Sequence, residues 1–230
     1  MYRSKERRYC KIIYSDDRKL ALAGWLKKYD FVSYEIPLKL QKFLFFYESA
    51  SKVAGEEYDF YKLRGYKNGP VFSQVWGDYT KERSSFDHDA DNSYAKNGSK
   101  IIDSNLANKI GFFIKTCTEE ELSGITHSMN IWSSKKERIL SGEYQVDLEE
   151  KDFSNNDTEI INNIVSAYSN DFIKNSKVLQ IKNKIFLLSK NDIAKFTPIQ
   201  MDTLQELANE PELENPVYIA IDKTGRLLVD

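Results

Sequence analysis

The sequence predicts a mainly α-helical protein, α+β overall. A compact helical domain with a basic N-terminal segment is expected over residues 1–150, and a small α/β extension over 151–230. Three observations carry that expectation. Through the first part, apolar side chains recur at three- and four-residue spacing, the period of a helix with one face turned inward. Beyond residue 150 the pattern changes to short apolar runs, KVLQIKNKIFLLS and NPVYIAIDKTGRLLV, broken by turn residues. A hydrophobic content of 41% with 13% aromatics, spread over 230 residues, supplies enough apolar surface for a large core and excludes a disordered chain.

The elements follow in order. DDRKLALAGWLKKYDF predicts a helix capped by Asp16 or Asp17, with Leu22, Trp25, Leu26 and Tyr29 on one face. SYEIPLKLQKFLFFYESASKVAG is the strongest helical segment. Pro37 suits its first turn, Leu40, Phe43, Leu44, Tyr47 and Ala50 form its stripe, and Gly55 is a natural stop. YDFYKLRGYKNG reads as extended, ending on the Asn68-Gly69 turn signal. Pro70 then restricts Gly69 and can open a helix through VFSQVWGDYTKE, so Gly69-Pro70 reads as a strand-to-helix joint. SSFDHDADNSYAKNGSK lacks an apolar period and reads as a loop.

Helices are expected again through SNLANKIGFFIKTC, then through EEELSGITH behind a Thr118/Glu121 capping box, and through WSSKKERIL. A polar stretch over 142–156 precedes a helix in DTEIINNIVSAYS. The C-terminal part reads as a hairpin about Asn183-Lys184, a helix started by Thr197, Pro198 and Gln200, and a final strand–turn–strand.

A formal charge of -2 gives no whole-molecule field for capturing nucleic acid, although Arg3, Lys5, Arg7, Arg8 and Lys11 form a basic N-terminal run. Cys10 and Cys117 form no metal-binding pair and read as reduced thiols. No apolar stretch follows the basic residues as in a signal peptide, and no apolar run is long enough to cross a bilayer, so a cytoplasmic protein without membrane partners is expected. No phosphate-cradling glycine loop, nucleophile elbow or zinc-protease helix occurs, and nothing calls for a cofactor.

Asp87, Asp89 and Asp91 match the first ligand positions of a calcium loop. Asn92 then stands where that loop needs Gly, and Gly98 where it needs Glu, so no metal site is expected there, with or without His88. His127 has no identifiable carboxylate partner and reads as structural. Trp25, Trp76 and Trp132 read as core residues, or as anchors in a protein interface.

Three stretches in this order resemble the Panacea domain family, which includes SocA-like and phage-associated GepA-like proteins. The helix motif is matched by Pro37, Leu38, Lys39, Leu40, Gln41, Lys42 and Leu44, and the Gly-Pro-Val element by Gly69, Pro70 and Val71. Leu122, Ser123, Ile125, Thr126, His127 and Trp132 match the third. The resemblance covers about 20–140; Asn68 and Ile131 depart from the family's usual residues before Gly and Trp.

The resemblance implies a non-enzymatic, antitoxin-like protein that neutralises a toxin encoded nearby through direct contact. A proteolytic adaptor that delivers its partner to a protease is the alternative within the binding class. A nucleic-acid-binding regulator using the basic N-terminus, and a metal-dependent hydrolase using the Asp87–Asp91 stretch, are the readings from other classes. Phe72, Trp76 and Trp132 are the candidate aromatic anchors for a partner.

Overall fold

In the computed structural model, which describes residues 12–230, the Asp16 carboxylate accepts from the Lys19 backbone N–H at 2.8 Å and opens α1 (Asp17–Tyr29). Asp30 ends that helix and caps the short α2 (Phe31–Glu35). Pro37 stands in the first turn of α3 (Pro37–Ala54), where its missing N–H leaves no helical bond unmade. Gly55 closes α3 with φ 74°. This helix is buried from Lys39 through Ser51 on every side, beyond the expected stripe, and is the rod around which the main core is built.

Residues 63–72 form a hairpin. β1 (Leu63–Tyr66) pairs antiparallel with β2 (Gly69–Phe72), Leu63 opposite Phe72 and Tyr66 opposite Gly69. The expected joint is therefore corrected: Pro70 lies within β2, and α4 (Ser73–Lys81) begins three residues later. β2 is an edge of its sheet, where a residue without an N–H breaks no ladder.

The larger correction concerns SSFDHDADNSYAKNGSK, expected as a loop and found within α5 (Arg83–Ile101). Its buried residues are Phe86, Ala90, Ser93 and Gly98, a narrow face with one large side chain. Ala90 meets Gly24 of α1 so closely that a methyl on Gly24 would stand 2.2 Å from the Ala90 carbonyl oxygen. Small residues leave no apolar stripe to read, yet they let two helix backbones touch.

α6 (Ser104–Lys115), capped by Asp103, turns Ile110, Phe113 and Ile114 inward, and α7 (Glu119–Ser128) carries the expected Thr118/Glu121 capping box. The next expected helix is divided into α8 (Asn130–Ser133) and α9 (Lys136–Leu140). Within the polar 142–156 stretch, β3 (Val146–Asp147) pairs with β1, giving the strand order β2-β1-β3.

α10 (Asn155–Ser166) shifts the expected boundary near 150. Its Ile161 and Ile164 belong to the same core as α3, and its buried Asp157 accepts from the backbone N–H groups of Asn130 and Ile131 at the start of α8. The helical unit thus runs through α10, held by apolar packing and by polar bonds from Asp157 and from Asn156, whose Nδ2 donates to the Ser128 carbonyl.

The remainder has a small core of its own. α11 (Asn170–Asn175) leads into β4 (Ser176–Ile181) and β5 (Lys184–Ser189), an antiparallel hairpin turning at Lys182 and Asn183. α12 (Lys190–Ile193) and α13 (Pro198–Leu207), the latter with the expected Thr197/Gln200 capping box, cross to β6 (Val217–Ile221), which runs parallel to β5. β7 (Leu227–Val229) completes the order β4-β5-β6-β7. Leu204 of α13 packs on Phe186, Leu188, Val217 and Ile219. With 59% helix and 14% strand, the protein is mainly α and α+β, as expected. No helix among the described residues is long and apolar enough to cross a membrane.

Candidate partner-binding groove

The start of α3, the β1–β2 hairpin and α4 enclose a groove of about 410 Å³, lined chiefly by Pro37, Gln41, Lys42, Pro70, Val71 and Trp76. Two stretches distant in sequence, 37–42 and 66–76, meet here because the hairpin folds back on the first turns of α3. Gln41 fixes that contact: its Oε1 accepts from the Phe72 backbone N–H at 2.9 Å. Its Nε2 is buried and has no partner, so a donor is left unused at the groove.

Lys42 lies one step deeper. Its Nζ donates to the Asn68 carbonyl at 2.6 Å and to Thr126 Oγ1 at 2.7 Å, and Thr126 lies within hydrogen-bonding distance of the Leu122 carbonyl at 3.1 Å. Among the described residues no carboxylate pairs with this amine. Burial pushes its pKa down to about 7. Gly69 passes directly over it, with φ 109°; a Cβ there would stand 2.0 Å from Lys42 Nζ and 2.4 Å from Thr126 Oγ1. Both the backbone angle and the space require glycine.

Behind this layer the Trp132 Nε1–H donates to the Tyr66 carbonyl at 3.0 Å, holding the turn of the hairpin. His127 stacks on Trp132 with ring centroids 3.9 Å apart. Burial, and after it the charge of Lys42, lowers the His127 pKa. The imidazole is thus held by ring packing on the indole, and its buried Nε2 has no hydrogen-bond partner among the described residues.

The family-like residues therefore sort into three layers. Leu40, Leu122 and Trp132 are core. Lys42, Gly69, Thr126 and His127 form the polar layer under the hairpin, and Pro37, Gln41, Pro70 and Val71 reach the groove. Ser123 does not line it; its hydroxyl donates to the Glu119 carbonyl at 2.8 Å within α7. Of the three candidate anchors, Phe72 and Trp132 are each 1% exposed and cannot meet a partner, whereas Trp76 is 38% exposed at the groove. The correction has a simple cause: Phe72 and Val75 take the inward positions where β2 passes into α4, which turns Trp76 outward.

Asp87, His88, Asp89 and Asp91 lie along α5, where no calcium-loop geometry exists. Asp87 accepts from Arg83 Nε at 2.7 Å, Asp91 from Lys27 Nζ at 2.7 Å, and His88 bonds Asn92. Among the described residues no three metal-ligating side chains are grouped to hold an ion. The basic run Arg3–Lys11 and Cys10 lie outside the described residues. Cys117 is buried, and burial pushes its thiol up to about 12.

A buried ionic cluster escaped the sequence reading. Glu48 of α3 accepts from Arg18 Nε at 2.9 Å and Lys19 Nζ at 2.8 Å, and Lys19 also reaches Asp59 at 3.1 Å. The available signal was the presence of Lys39, Lys42 and Glu48 among the apolar residues of the strongest helical segment. No protein-family model, curated protein or solved structure matches this chain.

Proposed function

We propose that this chain is a non-enzymatic, antitoxin-like protein that neutralises a partner toxin by stoichiometric binding, using the groove between α3, the β1–β2 hairpin and α4. The observation that supports this reading is the meeting of Pro37, Gln41, Pro70 and Val71, drawn from two family-like stretches, in one groove beside the half-exposed Trp76. Such a groove suits a projecting partner segment. Proline, valine and indole surfaces supply apolar contact, and the free Gln41 amide supplies a donor for a carbonyl.

Co-expression with the toxin encoded beside it tests the proposal. The protein should restore growth only at near-equal amounts and should co-purify with the toxin. Asp87→Asn, His88→Ala and Asp89→Asn should leave rescue intact, since they lie along α5 and away from the groove. Rescue at strongly substoichiometric amounts would sink the proposal in favour of an enzyme.

A further inference from the structure

A second cleft, of about 570 Å³, opens between α1, α3 and α6 on one side and β4 with α11 and α12 on the other. Its charged lining residues are Lys39, Lys115, Lys177, Lys190 and Asp30, four cations against one carboxylate. Asp30 is engaged through one oxygen: its Oδ1 accepts from the Ser33 backbone N–H at 3.3 Å and lies 3.6 Å from Lys115 Nζ, while its buried Oδ2 has no hydrogen-bond partner among the described residues. Lys190 donates to the Lys174 carbonyl. Lys39 is different. It is only 4% exposed, its small accessible part lines the cleft, and it makes no hydrogen bond or ion pair among the described residues.

A buried ammonium without a hydrogen-bonded anion is costly, and the cost falls when an anion enters in direct contact with it. Burial accordingly lowers the Lys39 pKa, with the nearby Asp30, Glu119 and Glu121 carboxylates opposing that shift. Around Lys39 the wall is partly aromatic, with Trp25, Tyr29 and Phe112. Lys177 approaches from the facing strand β4, where it is exposed.

We propose that this cleft binds a small phosphorylated molecule, its phosphate drawn by Lys39 of α3 and by Lys177 across the cleft. A phosphate monoester carries about 1.5–2 negative charges near neutrality and so answers the surplus of lysines better than a single carboxylate does. The volume leaves room for an organic group as large as a nucleoside or a sugar. The cleft walls come from the helical unit on one side and from β4, α11 and α12 on the other, so the ligand bridges them and its binding raises the melting temperature of the whole chain.

Calorimetric titration of the full chain with pyrophosphate and with ADP, at fixed ionic strength, tests this. Saturable one-to-one binding is expected for at least one probe. Lys39→Met should weaken it about tenfold or more, and Lys177→Met severalfold. Lys151→Met, in an exposed pair with Glu149 away from the cleft, should leave it unchanged. Tighter binding of ADP than of pyrophosphate would assign the rest of the cleft to the organic group. Absence of saturable binding by both probes overturns the proposal, as does binding untouched by the two cleft substitutions or lost equally with Lys151→Met. Should Lys39→Met fail to fold, the exposed Lys177→Met decides alone.

Discussion

Lys19 of α1 and Lys42 of α3 are both 1% exposed and both lie beside the hairpin, yet their surroundings are opposite. Lys19 sits in a closed set of charges with Arg18, Glu48 and Asp59, two cations with two carboxylates, and its amine lies 4.5 Å from the centre of the Phe72 ring. Among the described residues the Lys42 amine bonds neutral acceptors, the Asn68 carbonyl and the Thr126 hydroxyl. A buried lysine can be accommodated by supplying an opposite charge or by easing its proton off, and this protein uses both solutions within one layer. The first fixes structure: Glu48 also accepts from the Asp59 backbone N–H, pinning the segment before β1 onto α3. The second leaves an amine whose charge answers to whatever approaches the groove.

The comparison is broken most severely at Glu48. Glu48→Gln leaves Arg18 and Lys19 short of their shared carboxylate, and denaturant unfolding should show a loss of about 3–5 kcal/mol. Gly69→Val forces a β-branched residue into a positive φ and onto Lys42 Nζ; the expected loss is about 3 kcal/mol, with any binding defect following from it. A Gly69→Val protein of undiminished stability would show that the hairpin does not press on Lys42.

The pH dependence sharpens the contrast further. The folded Lys42 pKa lies near 7, below the usual lysine value of 10.5, so between these values the unfolded chain holds a proton that the folded one lacks. Its stability contribution is full above the unfolded pKa and is lost as pH falls toward 7, with no further change below. Between about pH 7.5 and 9 stability should therefore rise by roughly 2 kcal/mol, and Lys42→Met should remove that rise. A slope that persists in Lys42→Met would assign it to other groups. The smallest expected effect on stability is that of Trp76→Ala, no more than about 1 kcal/mol by thermal melting. The same variant should lose partner rescue, separating binding from folding.

Much of the fold was legible because its signals are local and strong. Proline at the first turn and glycine at the end bounded α3, while Thr118/Glu121 and Thr197/Gln200 announced two helix starts through side-chain bonds three residues apart. What escaped depends on partners distant in the chain. β3 is two residues long and exists because β1 offers an edge. Asp157 looks like an ordinary polar residue until Asn130 and Ile131 present their N–H groups to it. At the groove, the sequence placed Gly69 and Pro70 at a turn but could not say that Pro70 stays in a strand. That choice is made by the register with Gly65. Trp132 and Trp76 were equivalent as sequence; only the packing of His127 and Tyr66 around Trp132 distinguishes them.

The seam between α1 and α5 carries a consequence for the order of events in folding. Over SSFDHDADNSYAKNGSK the chain has weak intrinsic helicity, and its small inner face can gain little until Gly24 and its neighbours are in place some sixty-six residues earlier. α5 is therefore expected to zip up after the barrier, once α1 and α3 have docked. Substitutions along it, such as Ala90→Gly, should then quicken unfolding and leave the refolding rate almost unchanged in a chevron measurement. Slowed refolding would put α5 in the nucleus. The helix that sequence describes least well would thus govern how long the native state lasts, while having little say in how fast it is reached.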